Sequence, residues 1–206
     1  MRIALVGMSG TGKSHWSHKL AQAGFDRIGC DDRIAARLAQ EVGAPVGEFF
    51  HMARWMGLPY EAHYPQRAER YLAHEIAVMQ EIVADLTADG PTSDVVIDTT
   101  GSVIYVPEAT ILDLRRVAHV VYLAPPLDAF QTMLAAYLQN PRPVIWNGVY
   151  RQAPDESPDQ AFARCYPRLL TSRDTLYRRY SHVTIPYAVH AAADMAVGTL
   201  LDLIRG

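Results

Sequence analysis

Along the 206 residues, short apolar runs alternate with longer stretches in which apolar side chains recur every three or four positions. Residues 2–7 (RIALVG) hold four consecutive apolar side chains stopped by a glycine, the pattern of a strand buried on both faces. Similar runs lie at 25–29, at 95–98 after the Gly90-Pro91 punctuation, at 119–123 (HVVYL) and at 182–185 (HVTI), the last closed by Pro186. Helical spacing marks 13–23, with Gly24 as its stop, then 107–116, 126–138, 159–180 and a closing 191–205; Pro167 is placed to break the fourth of these in two. Strands alternating with helices predict an α/β fold, a three-layer arrangement with a parallel sheet of about five strands.

Two excursions interrupt that rhythm. Residues 32 to about 93 are far longer than a crossover needs and are helical in pattern, most of all at 64–86. Residues 139–158 (QNPRPVIWNGVYRQAPDESP) carry four prolines and little periodicity, and a loop of that length is a lid when it is functional. The expected organisation is one domain over 1–206 with a helical insert and a lid.

The balance of residues then narrows the class. Half of the chain is apolar and a fifth charged, an ordinary globular composition. No stretch approaches the roughly 18 apolar residues of a membrane span, and the first apolar run is too short for a signal-peptide core. The two cysteines, Cys30 and Cys165, form no disulfide framework or metal-ligand spacing. A net charge of −3 gives no support for nucleic-acid binding. The expectation is a cytoplasmic protein, monomer or homodimer, with neither membrane nor nucleic acid as partner. Of nineteen basic residues only Lys13 and Lys19 are lysine, so a lysine inside a glycine loop stands out.

That loop is Gly7-Met8-Ser9-Gly10-Thr11-Gly12-Lys13-Ser14, a match to G-x-x-x-x-G-K-[ST] after a strand and before a helix. Gly7, Gly10 and Gly12 let the backbone N–H groups of the loop, those of Ser9 and Thr11 among them, curl around phosphate oxygens, and the helix dipole adds to the attraction. Lys13 would reach the β- and γ-phosphates of ATP, and Ser14 would offer its hydroxyl to Mg²⁺. Asp98, ending the third strand, would hold the metal's water shell, with the Gly101 N–H facing the γ-phosphate. The D-x-x-G spelling at 98–101 also occurs in GTPases, but no N-K-x-D-like guanine reader is present. Asp31 and Asp32 end the second strand region, where a carboxylate can orient an acceptor hydroxyl and take its proton. Asp32 could instead cap a helix starting at Arg33.

These residues resemble the shikimate kinases, within the nucleoside-monophosphate-kinase-like P-loop kinases. The loop G-M-S-G-T-G-K-S is of their type, and Asp31-Asp32-Arg33-Ile34 matches the second half of their D-x-D-x-x-I stretch. The resemblance makes Asp31 the acceptor-binding aspartate. It puts Gly29 where the family has its first aspartate, leaving Asp32 or Asp98 as the metal-side carboxylate. Arg67, with Arg70 second, corresponds to the substrate arginine of the insert. Arg142, in Pro141-Arg142-Pro143, corresponds to the lid arginine that closes over the phosphates. Arg173, four residues before Tyr177, corresponds to the arginine that takes the acceptor's carboxylate. The family's glycine triplet after strand three is replaced by Asp98-Thr99-Thr100-Gly101-Ser102, which adds side chains to the acceptor pocket.

The implied reaction is in-line transfer of the ATP γ-phosphoryl to a hydroxyl of a small molecule, shikimate or a similar hydroxylated acid, with Lys13, Asp31 and Arg142 as the catalytic set. The long insert and altered third-strand motif leave open a nucleotide, nucleoside or sugar-like acceptor. Gly29 leaves open a nucleotide-binding regulatory module without transfer. His15 with His18, the three tryptophans, Tyr177 with Tyr180, and Cys30 read as surface or packing residues.

Overall fold

A computed structural model describes residues 1–43, 52–88, 93–126 and 129–206. Five strands, β1 (Arg2–Val6), β2 (Asp26–Gly29), β3 (Val95–Asp98), β4 (His119–Leu123) and β5 (Val183–Ile185), form one all-parallel sheet in the order β2-β3-β1-β4-β5. The helices are α1 (Lys13–Gln22), α2 (Cys30–Glu41), α3 (Met52–Met56), α4 (Tyr64–Thr87), α5 (Glu108–Val117), α6 (Phe130–Gln139), α7 (Pro158–Tyr180), α8 (Tyr187–His190) and α9 (Val197–Arg205).

Alternation along β1 divides the core. Ala4 and Val6 face an apolar cluster that includes Ile34 and Leu38 of α2, Val78 and Ile82 of α4, and Leu169 of α7. Ile3 and Leu5 face Trp16 and Leu20 of α1 with Leu200 and Ile204 of α9. Helices therefore cover both faces, as the unbroken apolar strands require. Among the described residues no helix is long and apolar enough to cross a membrane.

The observed strands fall within a residue or two of the expected ones. Three helical expectations change. The aspartate pair does not end the second strand: β2 stops at Gly29 and α2 begins at Cys30, so Asp31 and Asp32 occupy its first turn, where negative charge suits the helix dipole, and neither caps it. Pro167 does not divide α7, because Cys165, Tyr166, Leu169 and Leu170 are buried on either side of it and hold the helix through the missing hydrogen bond. The closing helix, expected over 191–205, is shorter: α9 starts at Val197, and a separate short α8 follows Pro186, with His190 Nε2 hydrogen-bonded to the carbonyl of Ala124, just past β4, at 3.0 Å. The insert comprises α2, α3 and α4, while its residues 44–51 and 89–92, with the Gly90-Pro91 punctuation, and residues 127–128 of the expected 126–138 helix lie outside the described residues.

Candidate active site

The phosphate loop joins β1 to α1 at the carboxyl edge of the sheet. Gly7 has φ 149°, and a Cβ there would stand 2.8 Å from both the Leu123 carbonyl and Thr11 Oγ1. Gly10 and Gly12 have φ 85° and 90°, a region that strains other residues. Lys13, only 8% exposed, donates from Nζ to the carbonyls of Gly7 and Met8, each at 2.9 Å. Burial pulls its ammonium down to about 8, against the fields of Asp31 and Asp98, while Arg173 and Arg142 push the same way as burial. Lys13, Asp31, Asp98, Arg142 and Arg173 thus share one electrostatic neighbourhood.

Asp31, in the first turn of α2, is accessible, and its Oδ1 accepts from Tyr71 Oη of α4 at 3.1 Å. Protein on most sides raises its carboxyl, while Lys13 and the Tyr71 hydroxyl lower it. Ser14 is exposed at the first turn of α1. Asp98, paired in register with Leu5 of β1, is 6% exposed; its Oδ2 takes hydrogen bonds while Oδ1 takes none from the described residues. An exposed hydroxyl and a free carboxylate oxygen beside a phosphate loop are donors of the kind Mg²⁺ accepts alongside a nucleotide.

The turn after β3 lies against the loop. A Cβ on Gly101 would stand 3.4 Å from an Arg173 guanidinium nitrogen and 3.6 Å from Ser9 N. Four side-chain hydrogen bonds hold the turn: Thr99 Oγ1 donates to the Leu5 carbonyl at 2.7 Å, Tyr177 Oη donates to the Gly101 carbonyl at 2.6 Å, and Thr100 and Ser102 donate to Glu75. Arg173 is buried, with Nη2 donating to the Ile145 carbonyl at 2.8 Å and its guanidinium 5.3 Å from the Tyr105 ring centre.

The 139–158 segment is anchored at its middle. Tyr64 Oη donates to the Val144 carbonyl at 2.7 Å and accepts from Trp146 N at 2.9 Å, and Trp146 is buried among Tyr137, Tyr150, Phe162 and Tyr166. Arg142 is exposed and lines a cavity of about 430 Å³ with Ser9, Gly10 and Thr11 of the loop and Met133 and Tyr137 of α6. Arg67 stands apart from this group: it donates to the Trp55 carbonyl and lies 5.8 Å from the Trp55 ring centre, while Arg70 pairs with Glu41. Asp32 is paired with Arg27 and largely exposed.

Two residues of the site are absent from the sequence reading. Arg27 of β2 reaches Asp98, and Glu75 of α4 bonds the turn after β3. Glu75 had a legible signal: an acid on the stripe of Tyr64, Tyr71, Val78, Met79 and Ile82. Fully buried with no ion pair among the described residues, it is pushed up to about 7 by lost solvation, although the Ser102 and Thr100 hydroxyls pull it down. Between its ordinary pKa of 4.5 and about 7 the folded state holds a proton that the unfolded state releases, so stability falls as pH rises through that window. The loss is about 3 kcal/mol once the carboxyl is ionised. Glu75→Gln should therefore melt above wild type at pH 8 and close to it near pH 5; an equal gap at both pH values would assign the effect to packing.

No protein-family model matches the chain, and no curated protein matches it in sequence. Among solved structures it is similar to a shikimate kinase from Acinetobacter baumannii in complex with shikimate, with TM-score 0.56 and 21% identity over 99% of this chain and 88% of that one. It is also similar to a shikimate kinase from Bacteroides thetaiotaomicron, with TM-score 0.54 and 15% identity over 100% of this chain and 97% of that one. At these identities the likeness establishes the fold.

Proposed function

With the fold of the P-loop kinases as premise, we propose that this chain is an ATP-dependent small-molecule kinase that moves the γ-phosphoryl of ATP to an acceptor hydroxyl. The observation that supports this is a complete phosphate loop whose Lys13 lies within the electrostatic reach of Asp31, Asp98, Arg142 and Arg173. A nucleotide switch needs the loop; it has no use for an accessible carboxylate that shares a field with Lys13.

The residues divide the work. Backbone N–H groups of the loop and the Lys13 ammonium bind phosphate oxygens. Asp31, poised by Tyr71, orients the acceptor hydroxyl and accepts its proton as the bond to phosphorus forms. Arg142, with Lys13, stabilises charge on the transferring group. Ser14 and Asp98 would hold Mg²⁺, which supplies charge neutralisation at the phosphates when bound.

Shikimate or a similar hydroxylated acid is the favoured acceptor, supported by the resemblance in motifs and by Arg173, whose cation would face a carboxylate. A nucleotide, nucleoside or sugar-like acceptor is the second reading, favoured by the long insert and by the Thr99-Thr100 pair in the place of the family's glycine triplet. ADP release from Mg-ATP decides between them. Stimulation of at least tenfold by shikimate is expected on the first reading, and by a nucleotide, nucleoside or sugar pool alone on the second. No stimulation by any pool, with ATP bound, would make the chain a nucleotide-binding regulator.

A further inference from the structure

Arg27 bonds three groups at once. Its Nη2 donates to Asp98 Oδ2 at 2.8 Å, its Nε to Ser17 Oγ at 2.9 Å, and its Nη1 to Asp32 Oδ2 at 3.2 Å. Ser17 Oγ, itself fully buried, lies 3.0 Å from the same Asp98 oxygen. The planar fork of a guanidinium allows this arrangement, and a lysine ammonium would reach only part of it. Gly29 makes room: in its extended conformation a Cβ would stand 3.0 Å from Arg27 Nη1 and closer still to Asp32 Oδ2. In the register of β2 and β3, Gly29 lies beside Asp98. The position that lacks the expected aspartate is thus the one over which Arg27 and Asp32 meet.

We propose that Arg27 is a resident cation of the active site and a positioning residue for its metal side. It fills the gap between Asp98 and Asp32, withholds Asp32 from any divalent ion, and saturates Asp98 Oδ2 so that Oδ1 alone is offered. This rests on the reading of Ser14 and Asp98 as the groups that hold the nucleotide's metal. Without the guanidinium, two carboxylates would face one gap, a pair of hard oxygen donors of the kind divalent ions take, and binding is expected in the millimolar range of the ion.

Mn²⁺ titration followed by electron paramagnetic resonance tests this without any turnover. In the absence of nucleotide, wild type and Arg27→Lys should bind no Mn²⁺ in that range, Arg27→Met should gain one ion per chain, and adding Asp32→Asn to Arg27→Met should remove it. No gain in folded Arg27→Met, or an equal gain in Arg27→Lys, overturns the proposal. With ADP present, Asp32→Asn alone should leave Mn²⁺ affinity within about twofold of wild type while Asp98→Asn weakens it at least tenfold. This arm decides even if Arg27→Met does not fold, since a tenfold loss in Asp32→Asn makes Asp32 a ligand and refutes the idea. Wild type that takes no Mn²⁺ with ADP would instead sink the kinase reading, and the nucleotide-free arm would still decide the role of Arg27.

Discussion

Lys13→Met is expected to lower turnover by at least a thousandfold and yet to leave the nucleotide-free protein close to wild type in stability, at most about 3 kcal/mol lower. The rate loss corresponds to about 4 kcal/mol of transition-state stabilisation, the scale of a preorganised charge in a water-poor site. The stability result follows from burial. Unfolded, the amine keeps its proton to about 10.5; folded, to about 8. Below pH 8 the folded state therefore carries the full cost of a buried charge, about 3 kcal/mol, and stability rises with pH between 8 and 10.5, where the folded state has released its proton and the unfolded state still holds one. Methionine keeps the stem and removes the charge. Its cost is the pair of hydrogen bonds to the Gly7 and Met8 carbonyls, each worth about 1.5–3 kcal/mol for a charged donor. Melting curves at pH 7 alongside ADP release check both halves. Near-normal turnover would end the kinase reading, and a large drop in melting temperature would show that the two hydrogen bonds outweigh the buried charge.

Asp31→Asn should reduce transfer by about 10²–10⁴-fold, the range of a positioned general base, with ATP affinity changed by less than about twofold. The amide can still accept from Tyr71 Oη, so the local geometry survives while the proton acceptor is lost. Because the site holds the Asp31 carboxyl above the usual aspartate range, the acid limb of the wild-type rate should lie above that range and should vanish from the residual rate of the variant. Single-turnover assays across pH, with nucleotide binding measured separately, provide the check. An unchanged rate would move the acceptor hydroxyl away from Asp31.

Much of this site is readable in one dimension because its demands are local. A phosphate loop needs particular backbone angles at consecutive residues, and Gly7, Gly10 and Gly12 satisfy them before any fold exists. Asp98 was legible as a strand-end acid, and Arg142 and Arg173 were placed by resemblance. Other features were opaque for physical reasons. Propensity stops a helix at Pro167, and packing of Tyr166 and Leu169 overrides it. A proline-rich segment reads as a loose lid, but Tyr64 and Arg173, distant in sequence, anchor its backbone. Arg67 was named by resemblance alone, and its hydrogen bond to the Trp55 carbonyl within the same insert was not legible in the sequence.

The sequence by itself determined the alternating α/β order, the phosphate loop and the chemical types available beside it, because strand and helix periods and turn geometry are set by near neighbours. Only the tertiary structure decided the partners of those groups. Arg27 meets Asp98 across 71 positions, and Ser102 meets Glu75 across 27. Whether a charge is paired, buried or free depends on which elements the sheet order brings together, and that order arises from long-range burial that no local pattern encodes.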